Sequence, residues 1–247
     1  MMTLQLLSIP FSHYCEKARW ALERAGLPYT EKGHLPVFHY LYNRRAGAGA
    51  TVPALITPEG VLKDSSDILI YAHAQGADLY PAAHMAEIRS LEARADRIGK
   101  HARAWAYSHL LTDFALLAEV IQHADPREQK LARPFFGLLA KGLGKKYRVR
   151  PGHSQKHRTE INTLWDQFDF LLRDGRSFLV GEHFSAADLS LAALGGVLVM
   201  PPEYGYAYPP LERYPEAMRA DITAWRERPT GQHILKLYTH HRHPSRA

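Results

Sequence analysis

The chain opens on a short, mostly apolar run, Leu4 to Ile9, that stops at Pro10 and predicts a buried strand. From Ser12 the spacing becomes helical. Cys15, Ala18, Leu22 and Ala25 share one face, and Glu16, Lys17, Glu23 and Arg24 supply a polar one. Gly26 followed by Leu27-Pro28 ends that helix, with glycine at the C-terminus and proline beyond. Tyr29 and Thr30 begin a second strand. Residues 34–50 are mixed in character, and 44–50 (RRAGAGA) predict a flexible glycine-rich turn. Two apolar runs, Val52 to Thr57 and Val61 to Lys63, are separated by Pro58-Glu59-Gly60 and predict a hairpin. A helix over residues 65–74, closed by Gly76, completes a small α/β domain over residues 1–80.

After Tyr80-Pro81 the period is helical throughout. A long stretch from Met85 to Leu117 carries Ile88, Leu91, Ala95 and Ile98 on one face. Further helices are predicted over Glu119 to Leu143, Thr159 to Arg173, Ser185 to Met200 and Pro215 to Glu227. The expected fold class is therefore α/β plus all-α. An α/β domain precedes a helical bundle over residues 85–238, and a polar, frayed tail covers residues 239–247.

Composition adds limits. The 247 residues carry a formal net charge of +6, 15 histidines and one cysteine. A basic surface suits nucleic acid, an anionic membrane or an anionic small molecule. The basic residues are spread along the chain and no nucleic-acid motif organises them, so solvated surface is the favoured account and no nucleic-acid partner is expected. The exceptions are the tail and a basic stretch at 142–157 (GLGKKYRVRPGHSQKH), read as a solvated loop or as a face for an anionic partner. A lone Cys15 excludes an intramolecular disulfide and fits a reducing compartment. No basic leader with a long apolar core is visible, and no apolar run reaches transmembrane length. A soluble, cytoplasmic protein is expected.

Four local patterns bear on chemistry. At Ile9 to Trp20 a strand gives way to a helix, where unpaired N–H groups and the positive dipole end favour an anion, including a thiolate. Ser12 stands there either as a capping hydroxyl or as a donor to such an anion. Thr51-Val52-Pro53 reads as ordinary turn chemistry or as a cis bond presenting the Val52 backbone to a ligand. Lys63-Asp64-Ser65-Ser66-Asp67 caps a helix, and its carboxylate and hydroxyl suit a ligand ammonium and carboxylate. Ser185 and Asp188 form a capping box flanked by Phe184 and Leu189, which is structural. Cys15 reads mainly as a core residue, with a regulatory thiol as the alternative. Histidines 240, 241 and 243 lie in the expected tail and give no case for a metal site.

Taken in order, these patterns resemble the cytosolic glutathione transferases over residues 3 to about 235, with Pro215, Trp225, Arg228 and Pro229 matching the family's closing pattern. The local pattern Ser12-x-x-Cys15 is nearest to zeta- and tau-like and unclassified bacterial-type members, with serine in place of the attacking cysteine of omega- and glutaredoxin-like members. The resemblance implies a thioredoxin-like first domain, a helical second domain, a homodimer and glutathione as co-substrate, with no metal. It implies Ser12 as the catalytic hydroxyl, Val52 and Pro53 at the cysteinyl unit, and Asp64 and Ser65 at the γ-glutamyl end. Phe11, Tyr14, Trp105 and Tyr107, with Phe114, are candidates for the pocket of an electrophile; at helical spacing the last three are equally candidates for core. The glycyl carboxylate finds Ala50 and Thr51 where many members have a lysine or histidine, leaving Arg44, Arg45 and His39 as alternatives. The activity implied is conjugation of the glutathione thiolate to an apolar electrophile in detoxification. Glutathione-dependent isomerisation, or a non-catalytic binding or interaction module on the same fold, are the alternatives.

Overall fold

In the computed structural model, which describes residues 3–147, 149 and 154–242, the first seventy-odd residues form a four-stranded sheet with helices on both faces. The elements run β1 (Leu4–Ser8), α1 (His13–Arg24), β2 (Tyr29–Gly33), α2 (His39–Arg45), β3 (Ala54–Thr57), β4 (Gly60–Leu62) and α3 (Ser65–Ala72). The strand order is β2-β1-β3-β4; β1 lies parallel to β2 and antiparallel to β3, which forms a hairpin with β4. Alternation assigns the two faces of β1. Leu4 and Leu6 pack with Ala18, Leu22, Leu55 and Ile68 under α1 and α3, and Leu7 meets Ala48 and Ala54 on the opposite side.

One helix here was not expected from the pattern. α2 forms within the stretch read as mixed, so Arg44 and Arg45 belong to its last turn and only Ala46 onward is turn. It buries only His39 and Asn43, and so leaves no apolar stripe to read.

The second half is helical: α4 (Met85–Leu110), α5 (Phe114–Val120), α6 (Pro126–Ala132), α7 (Phe136–Lys146), α8 (Ser154–Leu172), α9 (Ala186–Val199), α10 (Glu216–Glu227) and α11 (Pro229–His241). The two longest expected helices are divided. Asp113 caps a new helix through Leu116 N (3.0 Å), and Asp125 caps another through Arg127 N (2.8 Å). The basic stretch at 142–157 is helix at both ends, within α7 and α8; residues 148 and 150–153 between them lie outside the described residues. The capping box is present: Asp188 accepts from Ser185 N (3.0 Å), and Ser185 Oγ accepts from Ala187 N (3.3 Å). α9 is buried along nearly its whole length, with α1, α4, α10 and α11 around it. Among the described residues no helix is long and apolar enough to cross a membrane.

Of the tail expected over residues 239–247, residues 239–242 are corrected, and 243–247 lie outside the described residues. α11 runs to His241, Tyr238 is fully buried and Arg242 is 2% exposed. Arg242 Nε donates to Glu16 Oε1 at 2.8 Å, and its Nη1 reaches Glu23. The expected polar face of α1 is corrected with it, because Glu16 and Lys17 are both fully buried. Lys17 Nζ donates to Glu92 Oε1 (2.8 Å) and Ser66 Oγ (3.0 Å), and Tyr80 OH donates to Glu92 Oε2 (2.8 Å). Glu16 also accepts from Gly205 N (3.2 Å); a Cβ at Gly205 would lie 2.3 Å from that carboxylate, so the approach needs glycine.

Removing one partner of a buried pair strands the other charge. Arg242→Ala is expected to lower stability by about 3–5 kcal/mol, read as a shift in the urea unfolding midpoint at constant slope. A frayed tail would give no measurable change.

Candidate active site

The turn between β1 and α1 is held by contacts from both halves of the chain. Arg19 Nη2 donates to Pro10 O (2.8 Å), and Tyr208 OH, from the loop before α10, donates to Phe11 O (2.8 Å). On the helical side, His13 Nε2 meets Gly99 O (3.0 Å) and Tyr14 OH donates to Asp96 O (3.2 Å). A Cβ at Gly99 would lie 3.0 Å from the Tyr14 hydroxyl, so a small residue on α4 lets the turn dock closely.

Ser12 occupies the N-cap position of α1 with extended backbone (φ −79°, ψ 126°), yet its hydroxyl makes no capping hydrogen bond. Ser12 lines a cavity of about 120 Å³ with Phe11, His39, Val52, Tyr107 and Met200. The wall is mostly apolar, and is completed by Tyr147, Tyr208 and Tyr214. A second cavity of about 310 Å³ lies beside it and is polar: Tyr14, Pro53, Lys63, Asp64, Ser65, Asp96 and Lys100 line it. Thr51, Val52 and Arg103 line both cavities and so mark where they meet. The Val52-Pro53 peptide bond is cis.

The expected site residues thus separate into three groups. Ser12, Phe11 and Tyr107 face the apolar cavity; Tyr14, Pro53, Asp64 and Ser65 face the polar one; Val52 faces both. Trp105 is corrected: it is fully buried in the helical core, donates to Asp221 Oδ2 (3.0 Å) and packs on Trp225 at 4.9 Å. Phe114 is 46% exposed and lines neither cavity. Of the alternatives for a carboxylate near Ala50 and Thr51, His39 lines the apolar cavity, whereas Arg44 and Arg45 are exposed and line neither.

Several lining residues carry no local motif. Asp96, Lys100 and Arg103 follow Glu92 along α4 at helical spacing, a charged stripe beside the apolar one. That stripe on a helix otherwise destined for the core is the signal that could have found them. Arg103 lies over the Tyr147 ring (4.3 Å) and near that of Tyr14 (5.5 Å). Tyr204, Tyr206 and Tyr208 alternate between two Pro-Pro pairs, and Tyr206 OH donates to Val120 O.

Burial sets the protonation states. It lowers His13 to about 3, with Arg103 acting in the same direction against the bond to Gly99. The imidazole is therefore neutral, and its Nε2 must carry the proton because a carbonyl can only accept. Burial raises the Tyr14 and Tyr107 hydroxyls well above the usual range, so both remain neutral donors. Asp96 is also raised by burial, opposed by Lys17. Cys15 is fully buried and burial pushes its thiol up to about 11, against Arg19, the Ile9 backbone and the Ser12 hydroxyl.

The sign of the last shift gives a test. The folded chain holds the Cys15 proton to higher pH than the unfolded chain, so this contribution to stability is complete below about 9 and is lost as pH rises through about 11. The native protein is expected to resist iodoacetamide at mildly alkaline pH, while the urea-unfolded protein is alkylated fully, as read by intact mass. Rapid labelling of the native protein would contradict a buried thiol. His13 runs the other way: its contribution is present above 6.5 and lost as pH falls toward 3.

Residues 6–78 match the family described as glutathione S-transferase, N-terminal domain. No curated protein sequence matches the chain. Among solved structures, a glutathione transferase from Phanerochaete chrysosporium superposes with a TM-score of 0.64 at 18% identity, covering 100% of both chains. One from Ceriporiopsis subvermispora, in complex with glutathione, gives 0.63 at 19% identity and covers 100% of both. The beta-etherase LigF from Sphingobium gives 0.58 at 19% identity, over 95% of this chain and 99% of the other. At these identities the likeness is one of fold.

Proposed function

We infer, from the match of residues 6–78 to the glutathione S-transferase N-terminal domain, that the two joined cavities of this chain bind glutathione and an apolar electrophile and that it couples them. The observation that carries this reading is the Ser12 hydroxyl, free of capping duty, at the apolar cavity beside its junction with a polar one.

The polar cavity suits a zwitterion. Asp64 and Asp96 offer carboxylates to an ammonium, and Ser65, Lys63 and Lys100 offer donors to a carboxylate. A γ-glutamyl end bound there directs the rest of the tripeptide past Val52 toward Ser12. The glutathione-bound relative from Ceriporiopsis supports the ligand class. At the sulfur, Ser12 donates its hydroxyl, the α1 N-terminus supplies dipole, and Arg103 adds positive charge at the junction.

A free thiol is only a few per cent ionised at neutral pH, and each unit of lowered pKa needs about 1.4 kcal/mol of anion stabilisation. One hydroxyl bonded to a charged sulfur supplies about 1.5–3 kcal/mol, hence one to two units. The thiol proton leaves to solvent. The sulfur lone pair then forms a bond to an electrophilic carbon, which either releases its leaving group with the bonding pair or takes up a proton after addition. Neutral Tyr107 is placed among the cavity residues as a donor to developing negative charge on the acceptor. The protein works as a homodimer in the cytoplasm on this reading, in detoxification.

Ser12→Ala is expected to raise the pKa of the bound thiol and to lower kcat/KM near neutral pH by about tenfold to a hundredfold, with the deficit closing at high pH. The pH–rate profile and the ultraviolet absorbance of the bound thiolate read both. Full activity at neutral pH would remove Ser12 from the reaction. Asp64→Ala is expected to raise KM for glutathione by about tenfold while kcat changes less than about twofold. Retention on immobilised glutathione without turnover of a general electrophile would favour a binding module instead.

A further inference from the structure

The segment from α6 to α7 is apolar on two sides. Inward, Phe136, Leu139 and Leu143 close a third cavity of about 50 Å³ against Leu35 and Leu117. The segment is moored there by Glu128, which accepts from Leu35 N and meets His34 Nδ1, both at 2.7 Å. Outward, Leu131, Phe135 and Leu138 are 62%, 58% and 70% exposed within eight residues. Large apolar side chains that the fold leaves this exposed form a face for something else to cover.

The charge around this face identifies the cover. Residues 126–147 contain six cations, Arg127, Lys130, Arg133, Lys141, Lys145 and Lys146, all exposed. Their one carboxylate, Glu128, is buried and turned toward His34. The exposed surface of the segment is therefore leucine, phenylalanine, lysine and arginine. That composition is the chemistry of a helix lying in a membrane interface, with rings and leucines among the acyl chains and cations at the headgroups. It is ill suited to a second copy of itself, which would bring six like charges face to face.

We propose that the exposed α6–α7 face docks on an anionic lipid bilayer, peripherally and without insertion of a spanning helix. The docking depends on these surface residues and not on the reading of the two-cavity site, so either can fail alone.

The test is co-sedimentation of the full chain with phosphatidylcholine vesicles and with vesicles that also contain phosphatidylglycerol. The proposal expects binding to the anionic vesicles at least about tenfold stronger, weakened at high salt. Phe135→Ser with Leu138→Ser is expected to reduce it by about tenfold, and Lys141→Glu with Lys145→Glu by at least about fivefold per position. These side chains are exposed, so unchanged circular dichroism and Tm are the control for folding. Absence of binding to anionic vesicles, or binding indifferent to both pairs of substitutions, would overturn the proposal. So would an oligomer, seen by sedimentation equilibrium, that the Phe135/Leu138 pair abolishes while vesicle binding persists.

Discussion

The structure depends on the burial of charge on α1. Glu16 and Lys17 are adjacent, fully buried, and satisfied from different parts of the chain. Lys17 meets Glu92 on α4 and Ser66 on α3, and Glu16 meets Arg242 beyond α11 and the Gly205 backbone. Each ion would cost several kcal/mol of desolvation without its partner, so α1 keeps its position only while both halves of the molecule are in place. Trp20 strengthens the dependence: it packs on Tyr238 and donates to His241 O (3.1 Å), and it belongs to a core continuous with the helical half.

This arrangement explains why the Ser12 turn is precise although it is a turn. Its carbonyls are held by Arg19 and Tyr208, and the side chains between Ser12 and Cys15, His13 and Tyr14, are fastened to α4. The Ser12 hydroxyl makes no capping bond and meets the Cys15 thiol. Burial meanwhile withdraws competing chemistry from the neighbourhood, keeping His13 and the Cys15 thiol neutral. The junction of the cavities then needs few polar groups: a hydroxyl, a helix end and a guanidinium beside apolar walls.

The two sides of the α6–α7 segment place two environments back to back. The inward face meets the apolar cavities, which share Phe11, Tyr107, Leu110 and Val120, and the outward face is open to solvent. Glu128 is the polar fastening between this segment and the loop after β2. The family likeness belongs to residues 6–78 and to the whole-chain fold, whereas these faces are built from side chains outside the matched family region.

What the sequence determined by itself is whatever rests on neighbours a few residues apart. The strand that stops at Pro10, the helix closed by Gly26, the hairpin at Pro58 to Gly60 and the box of Ser185 and Asp188 are local in cause, and each is legible without a structure. The strand–helix turn carrying Ser12 is legible for the same reason, as are Val52-Pro53 and Asp64-Ser65. What only the tertiary structure decided concerns partners far along the chain. Glu16 and Lys17 read as a solvent face because the groups that neutralise them lie 226 and 75 residues away. Trp105 reads equally as pocket or core until Asp221 and Trp225 close over it. α2 lacks an apolar stripe, and the start of α11 is set by contacts such as that of Gly231, where a Cβ would lie 2.0 Å from Trp225 O. The junction beside Ser12 required Arg103 from α4. Proximity in space between distant residues is the information that periodicity does not hold.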